Sequence, residues 1–310
     1  MVVNLLIYLS ILIVKIFFLL TVYGIQKALL TNIESPTLLK IFGLKQNLYF
    51  PVKLGLGVLK RFNIFTSHMY ALFKKEINTF FSHNSGVIII LSYLLTNGAF
   101  LWLFSSDFNI LDSGFTQMNG LFSLSPFLFL VFIPALTMRL FADEYKEGTI
   151  EVLQTSPISN TKLVLSKYFS GLTLVCLAII PTVVYYFSLS KLSETEGNID
   201  TAGIIGSYIG LFLLSSVFVA IGVYASSTTK NQITSFITAI FISAFFYLGW
   251  DLIASEIASG KIQIAISFLG MDSHYNSLSR GVIDSRDIIY FLSLNIIFIQ
   301  LTSHSISRKK

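Results

Sequence analysis

Hydrophobic residues in this chain gather into long runs separated by polar breaks. Six runs, at 87–104, 121–140, 167–189, 202–226, 233–250 and 288–303, carry no acidic or basic residue near their middle. Each approaches the roughly 20 residues a helix needs to cross the hydrocarbon core. None alternates as a barrel strand does, so the pattern predicts an all-α, polytopic membrane protein. Pro126, Pro134 and Pro181 are the expected kink sites. The apolar stretch 262–271 is too short to cross and reads as a helix dipping into the interface.

Ahead of the first run, Met69, Leu72, Phe73, Ile77, Phe80 and Phe81 share one broad helical face, with Lys74, Lys75, Glu76 and Asn78 opposite. That pattern predicts a helix lying in the membrane surface. Residues 1–68 are different: 5–23 is apolar but holds Lys15 near its middle, a costly place for a charge. They read as an extra span, a surface arm, or sequence upstream of the true start. Met69 opens the next coherent element, which favours the last.

Between the second and third spans lies the polar segment 143–157. Thr149 with Glu151 close behind suits a helix start, Ile150, Leu153 and Gln154 follow at helical spacing, and Pro157 stops the helix. Such a short amphipathic helix at a membrane surface is a docking element, with a solvated loop as the plain alternative. Basic residues set the orientation. Lys74, Lys75, Arg139, Lys146, Lys162, Lys167, Lys230, Arg308, Lys309 and Lys310 fall in one set of connections, against Lys191, Lys261, Arg280 and Arg286 in the other. The richer set belongs in the cytoplasm, so both ends of the six-span core and the docking segment are expected there. The expected organisation is an N-terminal extension, 1–68; an interfacial helix, 69–86; and a six-span domain, 87–307, with a cytoplasmic segment at 142–160 and an external one at 254–287.

Composition agrees. Of 310 residues, 54% are hydrophobic and only 12% charged, half the roughly 25% of a soluble domain. The net charge of +5 reads as cytoplasmic anchoring, not nucleic-acid binding. The single cysteine, Cys176, excludes an internal disulfide and a cysteine metal site.

The sequence holds no Gly-x-x-x-x-Gly-Lys-Ser/Thr loop, no His-Glu-x-x-His and no Gly-x-Ser-x-Gly elbow. No catalytic, cofactor-binding or metal-binding residue is therefore expected. Without a central ionisable group in the spans, an ion-coupled transporter is disfavoured. Gly206 and Gly210, extended by Gly203, make a small-residue face. It suits close helix approach, within the chain in preference to between subunits. The external stretch 271–287 concentrates Asp272, His274, Tyr275, Arg280, Asp284, Arg286 and Asp287. The favoured reading pairs them with one another on a solvated cap; the alternative is a ligand or metal site.

An interfacial helix, six spans, and a first cytoplasmic loop reading Glu144-x-x-Glu147-Gly148-Thr149-x-Glu151-x-Leu153-x-x-x-Pro157 together resemble the ABC-2 class of transporter permeases. Three stretches resemble, within that class, the GldF-type permease subunits associated with gliding motility in Bacteroidetes. They are 107–111, 197–200 with 206–210, and 279–287. The likeness runs from about Met69 to Thr302. It implies a six-helix ABC-2 type transmembrane domain in the inner membrane, without enzymatic activity of its own. It implies a separate ABC ATPase subunit and a sister permease or second copy as partners. It also implies that Glu144, Glu147, Gly148, Thr149, Ile150, Glu151, Leu153 and Pro157 couple to the ATPase. On that reading Ile150 and Leu153 fill an apolar groove, Glu147 and Glu151 face basic groups, and Gly148 gives the sharp entry. Rival readings are a mechanical or assembly protein acting on external partners through 271–287 and, far behind, an intramembrane enzyme.

Overall fold

The computed structural model describes residues 69–82, 84–112, 117–155, 158–192, 199–257 and 260–308. Its contacts divide the chain into two units, Met1–Ala71 and Leu72–Lys310, and the membrane-crossing helices among the described residues lie in the second. Among the described residues there is no strand. Five helical segments are long and apolar enough to cross a membrane: Asn119–Glu147, Asn160–Leu192, Thr201–Thr228, Gln232–Ser255 and Ser285–Arg308. A further helix, α2 (Asn84–Trp102), makes a sixth only when taken together with α1 (Met69–Ser82), from which it is bent by 72°. This is the all-α polytopic architecture the hydropathy pattern predicts.

The second crossing consists of α3 (Asn119–Thr137) and α4 (Arg139–Glu147), and α5 (Thr149–Thr155) follows it. The third consists of α6 (Asn160–Ile179), a 3-10 turn holding Pro181, and α7 (Val183–Leu192). The fourth is α8 (Thr201–Thr228). The fifth runs through α9 (Gln232–Ala244), a π turn at Phe245–Gly249 and α10 (Trp250–Ser255). Two short helices, α11 (Gly260–Ser267) and α12 (Met271–Leu278), precede the last crossing, α13 (Ser285–Arg308).

Helix α8 is the centre. Its sequence is apolar or small on every face, which makes a helix buried all round. It packs against α3, α4, α6, α9, α12 and α13. Leu211, Leu214, Val217, Phe218, Val219 and Ile221 have no exposed surface. Gly222 sits so close to Thr137 of α3 that a Cβ there would overlap the Thr137 hydroxyl. Polar groups join the helices where water is excluded. Tyr168 Oη of α6 donates to Asn295 Oδ1 of α13 at 3.0 Å, and Asn295 Nδ2 donates to Ser216 Oγ of α8 at 2.8 Å.

Three expectations are corrected. The second span does not end at Leu140; helix continues through α4 to Glu147, so Asp143–Glu147 extends a span and is not loop. The third begins at Asn160, leaving Lys167 two turns inside it. And 271–287 is not simply a solvated cap: Met271, His274, Tyr275 and Leu278 of α12 and Asp287 of α13 are buried. The reason is the small-residue face. A Cβ on Gly206 would lie 2.8 Å from Gly281 Cα, and one on Gly210 would lie 2.7 Å from Leu278 Cβ. Gly203 touches Gly281 backbone to backbone. Ser207 Oγ donates to Ser279 O at 2.7 Å. Within this chain, the face is a seat for the end of α12.

Candidate coupling site

The segment after the second span is built as an arm. The helix is interrupted at Met138, between α3 and α4. Amides at such a break lose intrahelical partners. Ser226, near the end of α8, replaces them: its Oγ accepts from Phe141 N at 2.9 Å and Ala142 N at 3.1 Å, and donates to Met138 O at 2.9 Å. The arm is thus tied to the central helix. At its far end Gly148 has φ 71°, the left-handed region that glycine enters without Cβ strain, and α5 starts at the next residue.

Beneath the arm lies a cluster of four charges. Lys167 Nζ stands 2.9 Å from Glu76 Oε1 and 2.9 Å from Glu144 Oε1, and it also donates to Leu140 O. An ammonium has three N–H donors, so each has an acceptor here. The ammonium further lies 4.8 Å from the centre of the Phe141 ring. Lys75 Nζ donates to Glu144 Oε1 at 3.1 Å and lies 3.9 Å from Glu76. Burial pulls the Lys75 ammonium down, but Glu144 and Glu76 outweigh it and hold it above its ordinary 10.5. Two positive and two negative charges balance, which is the condition for burying ions without a large penalty. The cluster joins α1, α4 and α6.

The structure separates the eight coupling candidates. Glu144 is 7% exposed and turned into the ion cluster, and Ile150 is 6% exposed and packed against the chain itself. Leu153 is half-buried. Glu147, Gly148, Thr149 and Glu151 are exposed, with Val152 beside them at 68%. Pro157 lies outside the described residues. The outward face is therefore Glu147, Glu151 and Val152, while Glu144 and Ile150 hold the arm in place. Lys167 was missed by sequence reasoning, which counted it as an anchor at a span end. Its only signal was a second lysine on α6, about one turn and a half beyond Lys162 and amid apolar and small residues.

On the opposite end, His274 and Asp287 come together and the remaining candidates of 271–287 do not join them. His274 Nδ1 lies 2.7 Å from Asp287 Oδ1, its Nε2 faces Phe268 O at 2.9 Å, and its ring stacks on Tyr290 at 4.0 Å. Asp284 Oδ1 accepts from Arg286 N at 2.9 Å at the start of α13. Arg280 and Arg286 are exposed or nearly so, and neither reaches the histidine. Among the described residues no three His, Cys, Asp or Glu side chains group as a metal site.

The described residues hold five helices long and apolar enough to cross a membrane, or six with the bent α1–α2 pair, and a polar arm at one end of the bundle; the sequence has no phosphate loop. A family model described as ABC-2 family transporter protein matches residues 4–303, and the chain belongs to that family. It is accordingly a transmembrane permease component of an ABC transporter. The match extends upstream of Met69, which corrects the expectation that the likeness begins there. Among curated proteins no relative matches.

Proposed function

We propose that this chain is the inner-membrane permease subunit of an ABC-2 transporter, driven by a separate ABC ATPase that docks on α5 from the cytoplasm. The observation that carries this reading is the arm: an exposed face of Glu147, Glu151 and Val152, flanking a left-handed Gly148 at the end of a helix bonded to the bundle's hub through Ser226. A push on α5 reaches α8 through Ser226 and reaches α1 and α6 through the charge cluster. Glu147 and Glu151 meet basic groups on the ATPase, and Val152 with Leu153 enters its groove. Glu144 acts as a positioning residue, not as a contact. The chain pairs with a sister permease or a second copy, and the stretches 107–111, 197–200 with 206–210, and 279–287 support membership of a gliding-motility system. The test is Glu147→Arg with Glu151→Arg, followed by co-purification of the ATPase from detergent extracts. Loss of the ATPase with the permease still folded is expected; undiminished co-purification overturns the docking role.

A further inference from the structure

We propose that the angle between α1 and the α3–α4 arm is a binding site for a phospholipid with a primary-amine headgroup. A cavity of about 430 Å³ opens there, within the range of small-ligand sites. Its lining changes character along one direction. Phe80, Ile89 and Leu136 form the end level with the spans, and Arg139, Asp143 and Glu147 follow down the arm. An occupant must be amphiphilic and enter apolar end first.

The charges are also ordered. Arg139 comes first; Asp143 and Glu147 follow one and two turns on, at about 5.4 Å per turn. In an ethanolamine headgroup the phosphate comes first after the glycerol, and the ammonium follows two carbons later, a comparable span. The phosphate then meets the Arg139 guanidinium, and the ammonium donates to Glu147 and to Asp143, whose Oδ1 also accepts from Gln232 Nε2. Charge-assisted hydrogen bonds of this kind are the stronger ones. The four-charge cluster is internally neutral, so Arg139, Asp143 and Glu147 leave the cavity with one net negative charge. That excess disfavours an anionic headgroup. A trimethylated headgroup has no N–H to donate. Because Lys75, Glu76 and Glu144 also line the cavity, a lipid seated there lies against the joint between α1 and the arm.

The proposal rests on the cytoplasmic orientation of the arm only for the leaflet that supplies the lipid. Its test uses the full chain in phosphatidylcholine vesicles containing a trace of phosphatidylethanolamine with a photoactivatable diazirine near the glycerol. After irradiation the adduct is mapped by mass spectrometry. Label is expected on peptides holding Phe80, Ile89 or Leu136. Unlabelled phosphatidylethanolamine is expected to displace it about tenfold better than phosphatidylcholine or phosphatidylglycerol. Soluble phosphoethanolamine is expected not to displace it. Glu147→Lys, at an exposed position, is expected to reverse the preference toward phosphatidylglycerol. Label elsewhere, equal displacement by all three lipids, or displacement by soluble phosphoethanolamine overturns the proposal. Labelling and displacement are read in vesicles that hold the permease without the ATPase, so the two readings fail separately although both use Glu147.

Discussion

Lys167 Nζ lies 2.9 Å from the Glu144 carboxylate, with only 1% of the lysine side chain exposed. One residue comes from the third crossing and the other from the arm that carries α5, so this contact ties that end of the bundle together. The same ammonium reaches Glu76 on α1 at 2.9 Å. Lys167 is thus the buried member that both carboxylates share, while Lys75 is half-exposed.

Lys167→Ala leaves two buried carboxylates short of a cation. Removing one partner from a buried pair costs about 3–5 kcal/mol, whereas exposed pairs contribute little. We expect a melting temperature in detergent lower by many degrees for Lys167→Ala and for Glu144→Ala, and a small change for Lys74→Ala on the exposed face of α1. Equal melting of all three variants contradicts the cluster.

Much of the architecture was readable in advance because lipid imposes one rule, long apolar helices. The five long crossings and the bent α1–α2 pair overlap the six apolar runs, with ends displaced by several residues. What was not readable depends on partners distant in sequence. Whether Asp143 to Glu147 continues a helix is decided by Ser226, over 80 positions away, replacing amide partners at the break. Burial of Lys167 is decided by Glu76 and Glu144 arriving from two other elements. Burial of α12 is decided by the glycines of α8, which sequence reasoning marked as a close-approach face without naming what approached. In the coupling segment, the position of Gly148 and the start at Thr149 were legible from local chemistry; the inward turn of Glu144 and Ile150 was not.

Gly148 tests the entry to α5. No atom lies within 4 Å of where its Cβ would be, so a substitution meets only backbone strain. That strain is about 1–2 kcal/mol for an ordinary side chain and less for asparagine. Gly148→Asn is expected to keep ATPase co-purification near wild type and Gly148→Val to reduce it, with melting temperature little changed in either. Equal retention by both shows that the left-handed turn is not needed.

The outer seat predicts a different pattern. Gly206→Val drives a side chain into the Gly281 backbone, whereas Ser207→Ala removes one hydrogen bond of about 1 kcal/mol. Cysteine placed at Leu278, now fully buried, is expected to resist external maleimide in the wild-type background and in Ser207→Ala. It is expected to become labelled in Gly206→Val. Protection in all three backgrounds contradicts the seat.

The joint's dependence on pH follows from Lys75. Its folded-state value is raised above 10.5, so its stabilising contribution is complete below 10.5 and is lost as pH rises through the higher folded value. The difference in melting temperature between wild type and Lys75→Met is expected to be constant from pH 6 to about 9 and to shrink above 10.5. Half-exposure of the lysine keeps that difference small. A difference that grows with alkalinity contradicts the assignment.

The central claim is that force enters this protein through α5. Val152 on its outward face, replaced by cysteine, gives the most direct measurement: disulfide cross-linking to single cysteines lining the ATPase surface groove, in membranes containing the whole complex. The account predicts cross-links at Val152→Cys and none at Ile150→Cys, whose side chain turns into the permease. Cross-linking through Ile150→Cys alone, or reaction of Val152→Cys only with reagents on the external side, contradicts it.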